Sequence, residues 1–351
     1  MSEFNFLNRS ECNIMRGFAI LAVASNNFTH LINGVVQDNE FIYDYSQVDA
    51  FTSCLKCPTA TFLLDLLAFY SPFGVMLFIF LSGYGLTLKY EIGTGHDVSH
   101  GEFVSSHYWK LFKMQLKGLA LFLLIMFVFD PNYIVYFRHL MGQIFMLENL
   151  NPIDPVILAG PYWFFGMIME MYIIYRYVIY RRSTSLLLFV IALSILLMMP
   201  FQPNGESIHY LRINFCMAIL PFGLGVLAAR YGNKIKNVYD SLPKCIIAMF
   251  VFFIFLTLCK FNFFAWLVMP FFIVGLSIPL AKMLNKMILA SKVFCWVGSL
   301  SGIIFVVHPI VREILIQRTN TSGSYYGMFL VYLFMTIALS IIMKPLFDRK
   351  K

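Results

Sequence analysis

The chain has few charged residues. Only 13% of its 351 residues are Asp, Glu, Lys or Arg, while 60% are hydrophobic and the mean hydropathy is +0.75. Soluble globular domains carry about 25% charged residues, so this deficit excludes a water-soluble protein. No polar stretch is long enough for a separate soluble domain. We therefore expect an all-α, polytopic integral membrane protein in which residues 1–351 form one transmembrane domain, with no appended soluble domain.

Three further absences limit the chemistry. The seven cysteines form no array with metal-ligand spacing, because Cys54 and Cys57 are a single pair, so we expect no metal site. No basic and aromatic module interrupts the apolar runs, so we expect no nucleic-acid partner. A Gly-x-Ser-x-Gly motif is also missing, which argues against the nucleophile of a serine hydrolase.

The sequence does contain a series of apolar runs long enough to cross a bilayer. They fall near residues 13–36, 71–90, 112–130, 160–180, 184–200, 209–229, 243–259, 263–284, 296–316 and 324–346. We predict roughly ten transmembrane helices. Most of the 26 Lys and Arg residues then fall on the side of the amino terminus, so the positive-inside rule predicts that both termini are cytoplasmic. Residues 61–70 are either a separate interfacial helix or an extension of the second span.

The first apolar run contains three costly polar side chains, Arg16, Asn27 and His30. Polar groups at membrane depth are usually functional. The fourteen positions from Arg16 to His30 correspond to about 21 Å along a helix, and a hydrocarbon core is about 30 Å thick. A molecule held by Arg16 near one surface could therefore extend a reactive end towards His30. This geometry suits chemistry performed across a membrane.

Five segments carry motif-like patterns. Residues 15–19, Met-Arg-Gly-Phe-Ala, are similar to Leu-Arg-Gly-Ile-Ala, and residues 74–84 are similar to Gly-Val-x-Leu-Phe-Phe-x-Leu-Ser-Gly-Phe. Lys110 and Lys113 have the spacing of an Arg-x-x-Arg pair. Residues 162–172 are similar to Trp-x-Leu-x-x-Glu-x-x-Tyr, and residues 299–309 to Ser-Tyr-x-x-Tyr-Leu-x-His-Pro. In this order the five segments resemble the membrane acyltransferase family 3, whose members move acyl groups from acyl-coenzyme A (acyl-CoA) onto sugars and other acceptors.

One position departs from the family's pattern. The first helix of the family usually carries Arg, ten residues and then His, but position 27 of this chain is Asn. His30 lies three residues later, on nearly the same helix face. Either His30 has taken over as the base, or the chain belongs to a branch with altered chemistry, or it has lost activity. We favour the first alternative because the costly imidazole is retained.

The resemblance implies a division of work among the motif residues. Lys110 and Lys113 would bind the phosphates of CoA at the cytoplasmic entrance, and Arg16 would bind phosphate or pantetheine amides. Snorkelling to the membrane surface is the structural alternative for all three cations. His30 would be the general base, and Asn27 would orient that base or donate a hydrogen bond to the developing oxyanion.

Four more residues have both a functional and a structural interpretation. Glu170 is a costly intramembrane charge that would pair with Arg16 or a histidine, in a catalytic or a purely structural ion pair. Tyr162 and Trp163 would form part of a platform for a sugar ring, or an ordinary interfacial aromatic belt. His308 precedes Pro309 within a span and would either belong to the acceptor site or serve helix packing.

We therefore predict a membrane O-acyltransferase of the bacterial inner membrane. It would take an acyl group, in our hypothesis acetyl, from cytoplasmic acyl-CoA as co-substrate and transfer it to a hydroxyl of a cell-envelope glycan. We expect direct transfer within the bundle, while a covalent acyl-enzyme at Ser25 or Thr29 stays open. Two alternatives remain: a transporter or flippase for a lipid-linked sugar, and a catalytically degenerate homologue that acts as a scaffold or sensor.

Overall fold

The computed structural model describes residues 5–72, 74–93, 98–129, 134–151 and 158–347. In these ranges the chain forms fifteen α-helices and no β-strand, so the predicted all-α fold is confirmed. The helices are α1 (Arg9–Thr29), α2 (Tyr45–Lys56), α3 (Phe62–Tyr70), α4 (Gly74–Thr87), α5 (His100–Phe129), α6 (Phe137–Ile144), α7 (Trp163–Ile174), α8 (Thr184–Met198), α9 (Glu206–Arg212), α10 (Phe215–Tyr231), α11 (Leu242–Cys259), α12 (Phe263–Leu267), α13 (Met269–Lys286), α14 (Ile288–Ser322) and α15 (Tyr325–Phe347).

Long apolar helices dominate this architecture. Within the described ranges, six helical stretches are long and apolar enough to cross a membrane: Phe62–Ile92, His100–Phe129, Glu206–Tyr239, Leu242–Cys259, Ile288–Ser322 and Tyr325–Phe347. Each predicted apolar run overlaps at least one α-helix. The count of about ten spans and the cytoplasmic position of both termini remain predictions.

The first helix ends earlier than its apolar run suggested. α1 ends at Thr29, not near Val36, and His30 caps it by donating its backbone N–H to the Asn26 and Phe28 oxygens. Gly34 then adopts a φ of +83°, which side-chain-bearing residues rarely adopt. The Asn26 side-chain amide donates to the backbone oxygen of Asp38 at 3.3 Å. Residues 30–44 therefore fold back over the end of α1.

Residues 62–70 form the helix α3, and the candidate span Phe62–Ile92 contains both α3 and α4, so the two alternatives for this segment stay predictions. α3 ends at Tyr70 and α4 begins at Gly74. Asp65 in the first turn of α3 is buried and accepts hydrogen bonds from the Val36 N–H at 2.9 Å and the Thr61 hydroxyl at 3.0 Å. These bonds tie α3 to the loop that follows α1.

α1 and α14 run parallel and in close contact. A Cβ added to Gly298 would lie 2.0 Å from the backbone oxygen of Asn13, and further along Asn27 meets Arg312. The bare backbone of glycine allows this approach, as is common between membrane helices. The polar residues of α1 are therefore held against α14 along most of their length.

The same packing fixes the depth of the basic residues. Met114 of α5 contacts Gly302, and Gly118 lies beside Val306, so α5 also runs parallel to α14. Lys110, one turn before Met114, consequently lies at the depth of Gly298. Arg312 lies fourteen residues beyond Gly298, or about 21 Å along α14. We call the two ends of the bundle the Arg16 end, with Lys110 and Lys113, and the His30 end, with Arg312; the predicted orientation makes the Arg16 end cytoplasmic.

Candidate active site

A cavity of about 300 Å³ lies at the His30 end. Its walls come from the last turn of α1, the loop after α1, Gly160 and Pro161 with the start of α7, and α9, while Arg312 enters from α14. Parts of the chain that are distant in sequence therefore converge on His30. The cavity is the centre of the candidate site.

His30 lines the cavity with its tautomer fixed. Its Nδ1 lies 2.6 Å from the backbone oxygen of Asn26. Because a carbonyl oxygen can only accept, Nδ1 of the neutral ring carries the proton and Nε2 keeps a lone pair. In the described part of the chain, no hydrogen bond occupies Nε2. The neutral ring therefore offers Nε2 as a proton acceptor at the cavity.

Asn27, the residue at the family's usual histidine position, is bonded to Arg312. The Arg312 Nη1 donates to Asn27 Oδ1 at 2.9 Å. Glu313 accepts a hydrogen bond from the Nε of Arg312 at 3.1 Å and a second from its Nη2. Three nitrogens thus fix the plane of the guanidinium beside the cavity.

One wall of the cavity is aromatic. The Phe41 ring meets Trp163 edge to face, with centroids 5.0 Å apart, and meets His209 in the same way at 5.3 Å. The side chains of Asn26 and Asn39 lie at the same cavity. Apolar walls with a few placed polar groups are typical of small-molecule sites. This combination suits a sugar, which presents both C–H faces and hydroxyl groups.

Glu40 adds a carboxyl group to the cavity. Burial raises the pKa of Glu40 to about 7, so this side chain can either donate or accept a hydrogen bond near neutral pH. Its backbone oxygen accepts a hydrogen bond from Arg212 Nε at 2.6 Å, and the Arg212 guanidinium stacks on the Trp266 ring at 3.8 Å. The position of Glu40 is therefore set by a buried cation.

The loop that carries Glu40 is anchored by an ion pair. The carboxylate of Asp38 pairs with the ammonium of Lys260, and both side chains are buried. The Lys260 Nζ also lies 4.3 Å from the centre of the Phe69 ring. Asn39, Glu40 and Phe41 follow Asp38 directly, so this pair holds one whole wall of the cavity.

Glu170 belongs to α7 and does not line this cavity. Its side chain lies beside the first residue of α10. Its Oε2 accepts a hydrogen bond from the backbone N–H of Phe215, the first residue of α10, at 3.0 Å. Among the described residues, neither Arg16 nor a histidine is hydrogen-bonded to Glu170, although the sequence suggested one of them as its partner. A carboxylate at a helix N-terminus satisfies a free backbone donor and interacts favourably with the helix dipole. The observed contact is that of a helix cap.

Two substitutions of Glu170 distinguish a cap from a catalytic acid. Glu170→Gln keeps an oxygen for the Phe215 N–H, whereas Glu170→Ala leaves a partly buried donor without this partner. We expect the Gln variant to unfold close to wild type and the Ala variant to be about 1–3 kcal/mol less stable. Thermal unfolding of the purified variants in detergent measures this. A Gln variant that keeps its stability but loses its activity would show that the charge itself is needed.

The predicted CoA-binding residues share the other end of the bundle. Arg16 is exposed and donates to Asn13 Oδ1 at 3.0 Å. Lys110 and Lys113 are also exposed and lie one turn apart on α5. The three cations are therefore at one depth, about 21 Å from the level of Arg312. Their roles in binding stay predictions.

The three predicted acceptor residues lie in different surroundings. Trp163 lines the cavity. Tyr162 is buried, and its hydroxyl donates to the Val306 backbone oxygen at 2.9 Å, so it joins α7 to α14. His308 is also buried, with its Nδ1 3.0 Å from the Ile304 oxygen, one turn before Arg312. Tyr162 and His308 are not among the residues that line the cavity.

Several residues that line the cavity were missed by the sequence analysis, among them Glu40, Phe41, His209 and Arg312. Arg312 carried a usable signal, because an arginine inside the apolar run 296–316 is as costly as one in the first run. Glu40 and Phe41 carried none, since they lie in loop sequence with no periodic pattern. His209 is the first residue of the apolar run 209–229, where a polar residue is ordinary at the end of a span.

Comparison with known proteins assigns the family. Residues 9–344 match the model of acyltransferase family 3, which is described as an acyltransferase domain. The match covers nearly the whole chain, and the chain therefore belongs to this family. Neither the curated proteins nor the solved structures gave a significant match. The protein is thus an integral membrane acyltransferase in its general class.

Proposed function

We propose that the protein is an acyl-CoA-dependent O-acyltransferase of the bacterial inner membrane. It transfers an acyl group, which we propose to be acetyl, to a hydroxyl of a cell-envelope carbohydrate. The single observation that carries this proposal is His30, which lies at a cavity with its Nδ1 donating to Asn26 and its Nε2 unoccupied in the described structure. That arrangement suits a general base for an alcohol.

The chemistry follows from this tautomer. The acceptor hydroxyl loses its proton to His30 Nε2 while its oxygen attacks the thioester carbonyl carbon, so a C–O bond forms and the carbonyl π bond becomes an oxyanion. The oxyanion then collapses, the C–S bond breaks, and the thiolate of CoA takes the proton from the imidazolium. Products are the ester and the free thiol, and His30 returns to its neutral state.

The donor and the acceptor enter from opposite ends in this scheme. The exposed cations Arg16, Lys110 and Lys113 lie where the predicted orientation places the cytoplasm, the compartment that contains CoA. The aromatic wall of Phe41, Trp163 and His209 lies at the opposite end, where an envelope glycan is found. The pantetheine arm of CoA would bridge the distance between them.

Binding of CoA to Lys110 and Lys113 tests the donor half of the proposal. We expect the double variant Lys110→Gln, Lys113→Gln to bind CoA about tenfold more weakly, because two exposed ion pairs contribute up to about 1 kcal/mol each. Calorimetric titration of the purified protein with CoA at two salt concentrations is the measurement. The affinity of the wild type should fall with salt, and that of the double variant should fall less.

The matched control changes two exposed lysines at the same end of the bundle. Lys234 and Lys236 lie in the turn Gly232–Tyr239, beside Phe6, and their replacement by Gln removes the same charge. We expect this control to bind CoA as the wild type does. Equal weakening in both double variants would indicate unspecific attraction, and a wild type that neither binds CoA nor transfers acyl groups would refute the proposed function.

Transport of a lipid-linked sugar is the second candidate function, and one observation favours it. α10 begins beside Glu170, after a break at residues 213–214 within the apolar stretch Glu206–Tyr239. Broken helices of this kind form the substrate sites of many transporters. Sugar movement across vesicle membranes without CoA, by a protein that is indifferent to CoA, would support this function in place of acyl transfer.

A further inference from the structure

Two N–H groups of Arg312 have no hydrogen-bond partner among the described residues. Its guanidinium carries five N–H donors in a planar fork. The described contacts occupy three: one on Nη1 to Asn27, the Nε–H and one on Nη2 to Glu313. One donor remains on each terminal nitrogen. The side chain is only 10% exposed and Arg312 lines the cavity, so its guanidinium is shielded from bulk water.

A glycine, and not a larger residue, lies next to these donors. A Cβ on Gly160 would lie 3.2 Å from Nη1 and 3.3 Å from Nη2 of Arg312, almost equally far from both nitrogens. Gly160 also adopts a φ of +55°, which disfavours other residues. Gly160 lines the same cavity as His30. A side chain at position 160 would therefore press on both terminal nitrogens, whereas glycine places only a hydrogen atom beside them.

The fork is held rigidly by its neighbours. Glu313 supplies a carboxylate to one edge, and the Oδ1 of Asn27 fixes Nη1. The carbonyl of Asn27 carries no charge, so it positions the guanidinium without cancelling it. A histidine at position 27 would become a second cation beside the guanidinium whenever it took up a proton. Asn27 can therefore lie beside Arg312 without charge repulsion, whereas a protonated histidine at position 27 would repel it.

We propose that Arg312 stabilises the oxyanion formed during acyl transfer, and that Asn27 is a positioning residue that holds Arg312 for this role. This inference rests on the proposed acyltransferase function. When the acceptor oxygen bonds to the thioester carbon, the two free N–H groups of Arg312 donate to the new oxyanion, while His30 holds the proton. When the C–S bond breaks, the negative charge leaves with the thiolate, which takes the proton from His30.

Preorganised donors act more strongly on a charge that appears only in the transition state than on the neutral ground state. Removing one such donor typically lowers kcat by about 10²–10³-fold. We expect a loss of that size in Arg312→Ala, with the KM values for acyl-CoA and acceptor changed little. Arg312→Lys keeps the charge but not the planar fork, so its kcat should also fall.

The experiment compares both variants with a control on the same helix. Arg318 is an exposed arginine of α14 that does not line the cavity, and Arg318→Ala removes the same charge. We expect wild-type kinetics in this control. Added millimolar guanidinium should partly restore kcat in Arg312→Ala, because the emptied space can hold the free cation. A purely structural role for Arg312 would not respond to guanidinium.

The possible results separate this inference from the proposed function. Suppose that the wild type is active and that both Arg312 variants keep a kcat within about threefold of it. A lost donor predicts a decrease of about 10²-fold, so this result would overturn the role of Arg312 but not the proposed function. A loss confined to the acceptor KM, or one that guanidinium does not reverse, overturns this role as well. If Arg312→Ala does not fold, the kcat of Arg312→Lys decides. A folded wild type without transfer activity removes the proposed function, and the role of Arg312 with it.

Discussion

Replacing His30 with Ala should lower kcat for acyl transfer by about 10²–10⁴-fold, the range that a positioned general base contributes. The reason is the fixed tautomer: Nδ1 donates to the Asn26 oxygen at 2.6 Å, which leaves Nε2 as the proton acceptor. Initial rates with acyl-CoA and a soluble glycan acceptor, with the ester detected by mass spectrometry, measure this loss. The KM for acyl-CoA should stay near that of the wild type, because the proposed binding site for the CoA phosphates lies at the other end.

The control for this substitution is a histidine far from the cavity. His100 is exposed at the start of α5, at the Arg16 end of the bundle, and His100→Ala should retain full activity. His30→Ala should also remain folded, since the backbone N–H of residue 30, which caps the last turn of α1, is kept. Full activity in a folded His30→Ala variant would show that His30 is not the general base. Glu40 and His209, which also line the cavity, would then be the next candidates.

The class of fold was predictable because composition alone decides it. Long apolar runs can only be helices when no water is available to satisfy the backbone. Their positions followed from hydropathy, as at α8 and α15, whose bounds agree with the predicted runs within a few residues. The end of α1 was not predictable in this way. Residues 31–36 look apolar, but they leave the helix because Asn26 and Asp65 bond to the loop that follows.

The candidate site was predictable only in part, because its contacts join distant residues. His30 and Asn27 stood out as polar groups in an apolar run, and Trp163 was found through a motif. Arg312 bonds to Asn27 across 285 positions of sequence, a pairing that no local pattern contains. The partner of Glu170 is a backbone N–H, which the identity of a side chain cannot reveal. Both contacts depend on tertiary packing, which the sequence pattern does not show.

The largest effect on stability is expected from Asp38. Replacing Asp38 with Ala should lower the free energy of unfolding by about 3–5 kcal/mol, because the ammonium of Lys260 then stays buried without its carboxylate. The side chain of Lys260 is only 1% exposed and that of Asp38 10%. Thermal unfolding in detergent measures the change. The activity should fall too, since the loop that Asp38 anchors carries Asn39, Glu40 and Phe41 into the cavity wall.

A surface pair gives the matched comparison. Asp240 and Lys244 also form an ion pair, but their side chains are 52% and 53% exposed. Water and salt screen such a pair, so Asp240→Ala should leave the unfolding temperature unchanged within error. If Asp38→Ala behaved like Asp240→Ala, the buried pair would not be what anchors the loop.

A double substitution separates the loss of the pair from the cost of an isolated charge. Asp38→Leu with Lys260→Met removes both charges and fills the space with apolar groups, which is often neutral or even stabilising for a buried pair. We therefore expect the double variant to be more stable than Asp38→Ala. Its activity decides what the pair is for. If stability recovers but activity stays low, the pair sets the geometry of the cavity wall formed by Asn39, Glu40 and Phe41. If both recover, the two charges only neutralise each other.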